Sequence, residues 1–412
     1  MPKYLLVIGG PTASGKTALA IELSRQLSAP VLSADSRQFY RELRIGVARP
    51  TEEELTLAPH HFIADRSVAE PLSAGAFARE ALALLEQLYR EHDYAILVGG
   101  SGLYVRALTE GLDEFPPVSD EIKLEVEELF AHEGLAGLQS ALAEADPDYY
   151  AEVDQRNPAR LQRALAVCRA SGRPYSSFRQ AAAPVRPFIP VYVQLSWLRE
   201  DLYARIDARV GRMMGEGLLE EARSALSFRD QPALQTVGYQ ELFDYLDGKT
   251  DLPTAVELIK RNSRRYAKRQ LTWHRRDGYW KHVRAGDLRA AMAYLQLVRE
   301  QGLTCTGEIH LAAKNKSSLR VSLVKDKNMM AHADLEVRAT FALLTRFRTE
   351  GLDHLARAVL LHQALHLAER PVVYADTETV GQRDFLLSQG FRELPEPVEE
   401  AELVWEWRQA SW

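Results

Sequence analysis

The amino-acid sequence predicts an α/β fold in which a parallel β-sheet carries helices on both of its faces. Two observations support this prediction. Apolar strand-like runs alternate with helical segments over the first 110 residues, and a glycine-rich turn joins the first run to the first helix. A helical insertion and a small C-terminal α/β module complete the expected architecture. The core strands are predicted at 4–8, 30–33, 94–98 and 187–195.

The helical insertion is predicted from a change in the residue pattern after Gly111. Phe115-Pro116-Pro117 interrupts the chain, and the stretch that follows to about Arg179 is rich in helical patterns and poor in strand patterns. The sequence therefore predicts a core in two parts, an insertion between them, a linker and a C-terminal module. The boundaries are placed at 1–112 and 186–285 for the core, 113–185 for the insertion, 286–304 for the linker and 305–412 for the module.

The glycine-rich turn reads Gly-Pro-Thr-Ala-Ser-Gly-Lys-Thr from Gly10 to Thr17, which is the phosphate-loop pattern G-x-x-x-x-G-K-[ST]. Consecutive backbone N–H groups and a helix N-terminus point at one small volume, which suits a di- or triphosphate. Lys16 adds a positive charge, and the Thr17 hydroxyl is a ligand for Mg²⁺. The fold class is thus P-loop NTPase-like, although the loop alone does not distinguish ATP from another phosphate compound. The expected binding residues are Gly10, Thr12, Ala13, Ser14, Gly15, Lys16 and Thr17.

Polar segments follow the second and third predicted strands, at 34–38 and 99–104. Because the carboxyl ends of parallel strands meet at one edge of a sheet, these segments are expected beside the phosphate loop. Asp35 is a candidate general base that takes a proton from an acceptor, and the alternative is a carboxylate that binds magnesium or caps a helix. Ser36 and Gln38 are candidates for hydrogen bonds to an acceptor base.

Composition and charge narrow the classes of function. The chain is 46% hydrophobic and 26% charged, as in ordinary soluble proteins, and it lacks an apolar run of about 18 residues that would predict a membrane span. Cys168 and Cys305 lie far apart in the chain, which disfavours a zinc site or a structural disulfide. We therefore expect a cytoplasmic protein without a membrane segment that acts as a monomer.

Basic residues are concentrated in two tracts although the formal net charge is −6. The stretch 260–284 contains ten Lys or Arg and one acid, and the stretch 156–179 contains six Arg and no acid. A solvated helix face would explain a single tract. Two tracts beside a phosphate loop favour a surface that binds a polyanion, and we interpret them as nucleic-acid contacts.

Several longer stretches together resemble one family, the tRNA dimethylallyltransferases, also called tRNA isopentenyltransferases. They cover about the first 285 residues in the order of that family, and only the phosphate loop is widely shared with other families. The matching stretches begin at Gly9, Ser33, Ile45, His60, Gly99, Asn157, Gly217, Thr236 and Arg265, and they read GGPTASGKT, SADSRQFY, IGVARP, HHFI, GGSGLY, NPARLQRAL, GLLEE, TVGYQ and RYAKRQLTW.

The resemblance implies a reaction and two substrates. A dimethylallyl group would pass from dimethylallyl diphosphate to N6 of the adenosine on the 3′ side of the anticodon, in tRNAs that read codons beginning with U. The phosphate loop would hold the diphosphate leaving group rather than ATP, with Mg²⁺ on Thr17. Asp35 would accept the N6 proton, while Arg209 and Ser101 match family positions that contact substrate.

The tRNA anticodon stem-loop is the partner that the resemblance implies, with its target base flipped into the site. The insertion is expected to clamp the anticodon stem. The positions expected to contact tRNA are Asp35, Ser36, Arg37, Gln38, Ser101, Lys123, Arg160, Arg163, Gln235, Tyr239, Gln240, Arg261, Arg265 and Lys268.

Three other functions compete with this interpretation. A small-molecule kinase would use ATP on the same loop, an adenylate isopentenyltransferase would use a free nucleotide, and an RNA-binding protein would keep the loop as a relic. The first two do not account for the basic tracts, and intact Lys16, Thr17 and Asp35 argue against the third.

The chain also departs from the family pattern. Val47 stands where Thr is usual, Arg49 stands where Lys is usual, and the eukaryotic zinc finger is absent. The region beyond about Thr304 exceeds the usual family length and resembles the carboxyl half of a GNAT acetyltransferase. Asp353 places a negative charge where the pyrophosphate of coenzyme A would lie. An active acetyltransferase, a degenerate GNAT-like module and an unrelated appendage remain alternatives.

Overall fold

The fold is known from a computed structural model of the chain. It describes residues 2–179, 184–277, 279–311, 317–325, 328–337, 342–349, 351–368, 372–375, 383–389, 391–398 and 403–408. The chain divides into two compact units, one formed by Met1–Leu108 with Pro187–Trp412 and the other by Thr109–Arg186. The described residues contain no helix long and apolar enough to cross a membrane.

A six-stranded parallel sheet forms the centre of the larger unit. Its strands are β1 (Tyr4–Gly9), β2 (Val31–Ser33), β3 (His60–His61), β4 (Tyr94–Val98), β5 (Ile189–Ser196) and β6 (Lys281–Arg284). The strand order is β3-β2-β4-β1-β5-β6, and all neighbours pair in parallel. The prediction of a parallel α/β sheet is confirmed. Strands β3 and β6 were not predicted, because two- and four-residue strands are too short to show a pattern.

The helices that follow these strands cover both faces of the sheet. They are α1 (Lys16–Leu27), α2 (Glu52–Leu57), α3 (Ala74–Leu88), α4 (Gly102–Thr109), α8 (Arg199–Gly215), α9 (Leu218–Ser224), α10 (Tyr239–Leu246) and α11 (Leu252–Asp277). Hydrogen bonds from capping side chains determine where several of these helices begin. Thr51 and Glu54 form a capping box at α2, and the Ser73 hydroxyl accepts the N–H of Ala76 at α3.

The smaller unit is helical. It consists of α5 (Asp120–Ala145), α6 (Pro147–Glu152) and α7 (Pro158–Ser171), followed by a 3₁₀ turn. Helix α5 is kinked at Gly134, whose φ of 63° is not helical. The apolar core between α5 and α7 contains Leu138, Leu142, Leu161 and Leu165.

In the part of the C-terminal region that the structure describes, α12 (Leu288–Gln301), a second sheet and two further helices are added to the larger unit. Its strands are β7 (Thr304–Leu311), β8 (Ser317–Lys325), β9 (Asn328–Val337), β10 (Ala342–Arg348), β11 (Val372–Ala375), β12 (Arg392–Val398) and β13 (Leu403–Arg408), and its helices are α13 (His354–Leu367) and α14 (Arg383–Ser388). The order is β12-β13-β11-β10-β9-β8-β7, and only β10 and β11 pair in parallel.

The two sheets share one hydrophobic core. Buried residues of β1, such as Leu6 and Ile8, belong to the same cluster as Leu295 of α12 and Leu360 of α13. Helix α13 also covers the edge strand β6, because the Gln363 side chain accepts the His282 N–H at 2.7 Å and donates to the Trp280 carbonyl at 2.7 Å. These bonds satisfy backbone groups at the edge of the first sheet.

Lys281 is buried where α13 covers β6, and its side chain provides a way to test this contact. Its Nζ donates to the Val359 carbonyl at 3.1 Å, and burial lowers its pKa from 10.5 to about 8. The unfolded chain therefore binds more protons than the folded chain between these two pH values, and the stability of the folded wild type rises with pH across that window.

We expect Lys281→Met to raise the midpoint of thermal unfolding below pH 8, because the variant no longer buries an ammonium group. The advantage should shrink as the pH approaches 10.5, where the unfolded lysine also loses its proton. Scanning calorimetry of both proteins from pH 7 to 10 measures the difference. An increase in the unfolding midpoint that does not change with pH would contradict the lowered pKa of Lys281.

Candidate active site

The phosphate loop is held in place by side chains from helix α8 and the turn before it. Trp197 Nε1 donates to the Ser14 carbonyl at 2.9 Å, and Arg205 Nε donates to the Ala13 carbonyl at 3.0 Å. Arg209 Nη1 donates to the Thr12 hydroxyl at 3.2 Å. These bonds fix the outer side of the loop, so that its geometry is formed before a ligand arrives.

Helix α11 holds the same loop from another direction. Gln270 is buried, its Oε1 accepts the Thr12 N–H at 2.8 Å, and its Nε2 donates to the Gly100 carbonyl at 3.0 Å. One side-chain amide thus joins the phosphate loop after β1 to the glycine-rich loop after β4. Trp273, one turn further along α11, lies against Gly102. A Cβ at Gly100 or Gly102 would collide with these two side chains, which explains glycine at both positions.

Asp35 follows β2 and lies in a turn that its own carboxylate stabilises, since Oδ1 accepts the Arg37 N–H at 3.0 Å. The Ser101 hydroxyl accepts the Ser36 N–H at 3.1 Å and donates to the Ser36 hydroxyl at 3.1 Å. This pair joins the loops that follow β2 and β4. Ser101 is therefore placed beside the Asp35 turn.

The phosphate loop and the Asp35 turn line an open cleft of about 1080 Å³. The segment 44–50 and residues of α8 and α11 line the same cleft, whereas Ser101 and Gly10 do not. The structure thus brings most of the predicted catalytic and diphosphate-binding residues to one cavity. Those that line it are Thr12, Ala13, Ser14, Gly15, Lys16, Thr17, Asp35, Ser36, Arg37, Gln38 and Arg209.

The structure also shows how Gly10 and Ser14 are arranged within the phosphate loop. Gly10 has a φ of 143° and forms the entry to the turn. Ser14 is fully buried, and a Cβ at Gly10 would lie 3.0 Å from its hydroxyl oxygen. A contact between the Ser14 hydroxyl and a diphosphate does not fit this arrangement, because that hydroxyl has no exposed surface. The Ser14 backbone still belongs to the loop.

Lys16 and Arg209 line the cleft together with Asp35. Burial lowers the pKa of Lys16 to about 8, with Asp35 opposing this shift and Arg209 adding to it, and Lys16 Nζ donates to the Pro11 carbonyl at 2.8 Å. Burial likewise lowers the pKa of Arg209, again against the attraction of Asp35. A bound polyanion would favour the charged forms of both groups.

Tyr266 of α11 is a further cleft residue, and it is not among the predicted site residues. It is 36% exposed and lines the cavity, where burial and the nearby Asp35 carboxylate raise its pKa to about 12. The periodicity of α11 shows that one face is buried but does not identify that face, because two of the buried residues are polar. The buried row consists of Ala255, Ile259, Ala267, Gln270 and His274.

A metal site built from the protein alone is absent from the described residues, since no group of three or more His, Cys, Asp or Glu side chains lies close enough together. Thr17 and Asp35 both line the cleft beside the phosphate loop. One hydroxyl and one carboxylate fit Mg²⁺, which commonly takes its other ligands from substrate phosphates and water.

Apart from Ser101 and the residues 35–38 described above, the residues expected to contact tRNA fall into three groups. Arg261, Arg265 and Lys268 are exposed along one side of α11. Lys123, Arg160 and Arg163 are exposed within the helical unit, where Lys123 pairs with Asp120 at 2.7 Å.

The third group surrounds the start of α10. Gln235 and Gln240 are exposed and bonded to each other at 2.8 Å. Tyr239, which was expected to contact tRNA, is instead fully buried. Its hydroxyl donates to Glu221 at 2.6 Å, so its side chain serves an internal contact.

We expect Gln270→Leu to weaken the binding of inorganic pyrophosphate about tenfold or more. The variant removes the partners of the Thr12 N–H and the Gly100 carbonyl, and the phosphate loop loses its tie to the neighbouring loop. Isothermal titration calorimetry measures this affinity. Gln296→Leu, on the exposed side of α12, is the matched control. Equal affinities for both variants would show that the amide does not position the loop.

The family model described as IPP transferase matches residues 38–277. A tRNA dimethylallyltransferase of Christiangramia forsetii is 48% identical over 277 residues, which covers 67% of this chain and 92% of that protein.

Solved structures extend the comparison. The tRNA isopentenylpyrophosphate transferase of Bacillus halodurans is 34% identical, with a TM-score of 0.53, and the match covers 72% of this chain and 96% of that one. A eukaryotic dimethylallyltransferase acting on tRNA has a TM-score of 0.59 at 24% identity, covering 73% of this chain and 77% of that one, and shows the fold alone. Because the family model matches more than half of the residues and the bacterial relatives align over nearly their whole length, this chain belongs to the IPP transferase family.

Proposed function

We propose that the chain transfers a dimethylallyl group from dimethylallyl diphosphate to N6 of the adenosine adjacent to the 3′ side of the anticodon, in tRNAs that read codons beginning with U. The products are N6-isopentenyladenosine in tRNA and free diphosphate. Membership of the IPP transferase family supports the class of reaction, as do relatives named tRNA dimethylallyltransferase.

The observation that carries the proposal is the arrangement of opposite charges in one cleft. Asp35 lines the same cavity as Lys16, Arg209 and the phosphate loop. A kinase would need these groups around ATP, whereas a prenyl transfer needs an anion site for the leaving diphosphate and a separate base for the acceptor amine. The cleft offers both, and it is wide enough for a flipped base.

The residues divide the work as follows. The N6 nitrogen attacks C1 of the dimethylallyl group, the bond between C1 and the diphosphate oxygen breaks, and its electron pair leaves with the diphosphate. Lys16, Arg209 and the phosphate-loop N–H groups stabilise the charge that grows on that oxygen. Asp35 accepts the proton that N6 releases. Ser101 supports the turn that holds Asp35 through its bonds with Ser36.

We propose Mg²⁺ as the metal ion, held by the Thr17 hydroxyl. Thr17 lines the cleft next to Lys16, and its oxygen suits a hard cation. When bound, the ion would neutralise charge on the diphosphate. We assign the loop to the diphosphate and not to ATP.

Recognition of tRNA is assigned to the exposed basic residues. Arg261, Arg265 and Lys268 present positive charge on one side of α11, whose buried side holds the phosphate loop through Gln270. Phosphate contacts of this kind position an RNA without reading its sequence. The helical unit, with Lys123, Arg160 and Arg163, is proposed to clamp the anticodon stem.

Two further assignments concern the whole chain. We propose that it acts in the cytoplasm as a monomer, where its tRNA substrate is found, and the two buried cysteines are free thiols. We also propose that residues 305–412 form a GNAT-like module without coenzyme A chemistry. The strand–helix–strand order of the resemblance is present as β10, α13 and β11, but the Asp353 carboxylate caps α13 and bonds to Gln301.

A transfer assay tests the proposed function directly. Radiolabelled dimethylallyl diphosphate is incubated with the protein, Mg²⁺ and an unmodified tRNA that reads codons beginning with U. Label is expected in this tRNA, and neither in AMP nor in a tRNA that lacks the adenosine beside the anticodon. Label in AMP would assign the chain to nucleotide-using enzymes, and absence of label from all acceptors would refute the transferase.

Asp35→Asn tests the assigned base. We expect kcat to fall by about 10²- to 10⁴-fold, the usual contribution of a positioned general base, because the amide cannot accept the N6 proton. The dissociation constant for tRNA, measured by filter binding, should stay within a few-fold of the wild-type value. A large loss of tRNA affinity at nearly unchanged kcat would instead make Asp35 a binding residue.

A further inference from the structure

The carboxylate of Glu221, on helix α9, is bound by the backbone of the segment 44–46, which lines the same cleft as the phosphate loop. Its Oε2 accepts the N–H groups of Arg44 at 2.9 Å and Ile45 at 2.8 Å, and its Oε1 accepts the N–H of Gly46 at 2.9 Å. Three consecutive N–H groups that converge on one anion form a concave site of the type that binds phosphate in other loops. In this loop the anion is the protein's own side chain.

Tyr239 completes the arrangement. Its hydroxyl donates to Oε1 of Glu221 at 2.6 Å, and burial followed by the charge of Glu221 raises its pKa, so it remains a donor at physiological pH. The ring lies so close to Gly46 that a Cβ at that position would be 2.7 Å from its atoms. The segment 44–46 is therefore fixed both by charge-assisted hydrogen bonds and by packing.

The fixed segment is connected to the assigned base. Residues 44–50 line the cleft, and Gln38 Nε2 donates to the carbonyls of Val47 at 3.3 Å and Ala48 at 3.0 Å. Gln38 Oε1 in turn accepts the Ser33 hydroxyl at 3.1 Å, and the Ser33 hydroxyl accepts the Asp35 N–H at 3.3 Å. A continuous chain of hydrogen bonds thus runs from Glu221 through this segment to the turn of Asp35.

Helices α8 and α9 bond to two different segments that line the cleft. Arg205 and Arg209 of α8 bond to the phosphate loop, while Glu221 of α9 bonds to the segment 44–46. Gly217 joins the two helices, with a φ of 100° that favours glycine. This helix pair therefore links the position of the segment 44–46 to that of the phosphate loop.

We propose that Glu221 is a positioning residue, which holds the segment 44–48 at the distance from the phosphate loop that an acceptor base requires and keeps Gln38 oriented beside Asp35. The inference rests on the proposed function, since the acceptor is the flipped adenosine of tRNA. Glu221 itself touches no reacting atom in this assignment. Its removal would widen the acceptor side of the cleft and leave the diphosphate side intact.

The test compares Glu221→Gln with Glu220→Gln, whose side chain is exposed on the same helix. In Glu221→Gln an NH₂ group replaces one oxygen and opposes the backbone N–H groups. We expect kcat/KM for tRNA to fall by about 10- to 100-fold, the loss typical of a displaced substrate, while the affinity for inorganic pyrophosphate stays within twofold. Glu220→Gln should match the wild type in both measurements.

Hydrogen exchange gives a readout that does not depend on activity. The amides of Arg44, Ile45 and Gly46 should exchange faster in Glu221→Gln than in the wild type, because the variant keeps only one of the two acceptor oxygens and loses their charge. Glu221→Asp, whose carboxylate is one methylene shorter, should show a smaller change and serves as the second variant if Glu221→Gln does not fold.

The outcomes separate the two proposals. Unchanged exchange of the amides at 44–46 would overturn the positioning role. So would a fall in kcat that matches a lower folded fraction of the variant while KM for tRNA is unchanged, because that result would indicate a structural role. If the wild type transfers no label in the same assay, the proposed function fails, and the role of Glu221 in that reaction fails with it.

Discussion

The active-site cleft depends on how the phosphate loop is held at the edge of the parallel sheet. The loop follows β1, the central strand between β4 and β5, and the buried amide of Gln270 joins it to the loop that follows β4. A buried amide with both of its groups bonded is stable only in that position, since any displacement leaves polar groups unpaired. The location of the phosphate loop is therefore tied to the seating of α11.

The link between α11 and the phosphate loop also affects substrate binding. The exposed side of α11 carries Arg261, Arg265 and Lys268, and the buried side carries Gln270 and Trp273 against the glycines of the site. One rigid helix thus spans the distance between the assigned tRNA surface and the phosphate loop. Rigid secondary structure holds such groups more accurately than a loop would, which matters because small displacements are expensive in catalysis.

The C-terminal region is part of the same folded unit and not a tethered appendage. Its helices α12 and α13 contribute to the core that contains β1, and Gln363 bonds to the backbone of the edge strand β6. Trp280, whose carbonyl accepts from Gln363, also lies against Gly9, where a Cβ would be 2.5 Å from the indole ring. The region beyond the family match is therefore packed against the strand that leads into the phosphate loop.

The sequence alone determined the class of fold and the phosphate loop, and its resemblance to one family indicated Asp35 and Arg209 as site residues. These features are local, because a glycine pattern, a strand-to-helix turn and short motifs can be recognised without knowledge of distant contacts. Only the tertiary structure decided which face of α11 is buried, that Tyr266 lines the cleft, and that Tyr239 supports Glu221 inside the protein. Those facts depend on contacts between residues far apart in the chain, such as Glu221 with Arg44 or Gln270 with Thr12, and no local pattern encodes such a pairing.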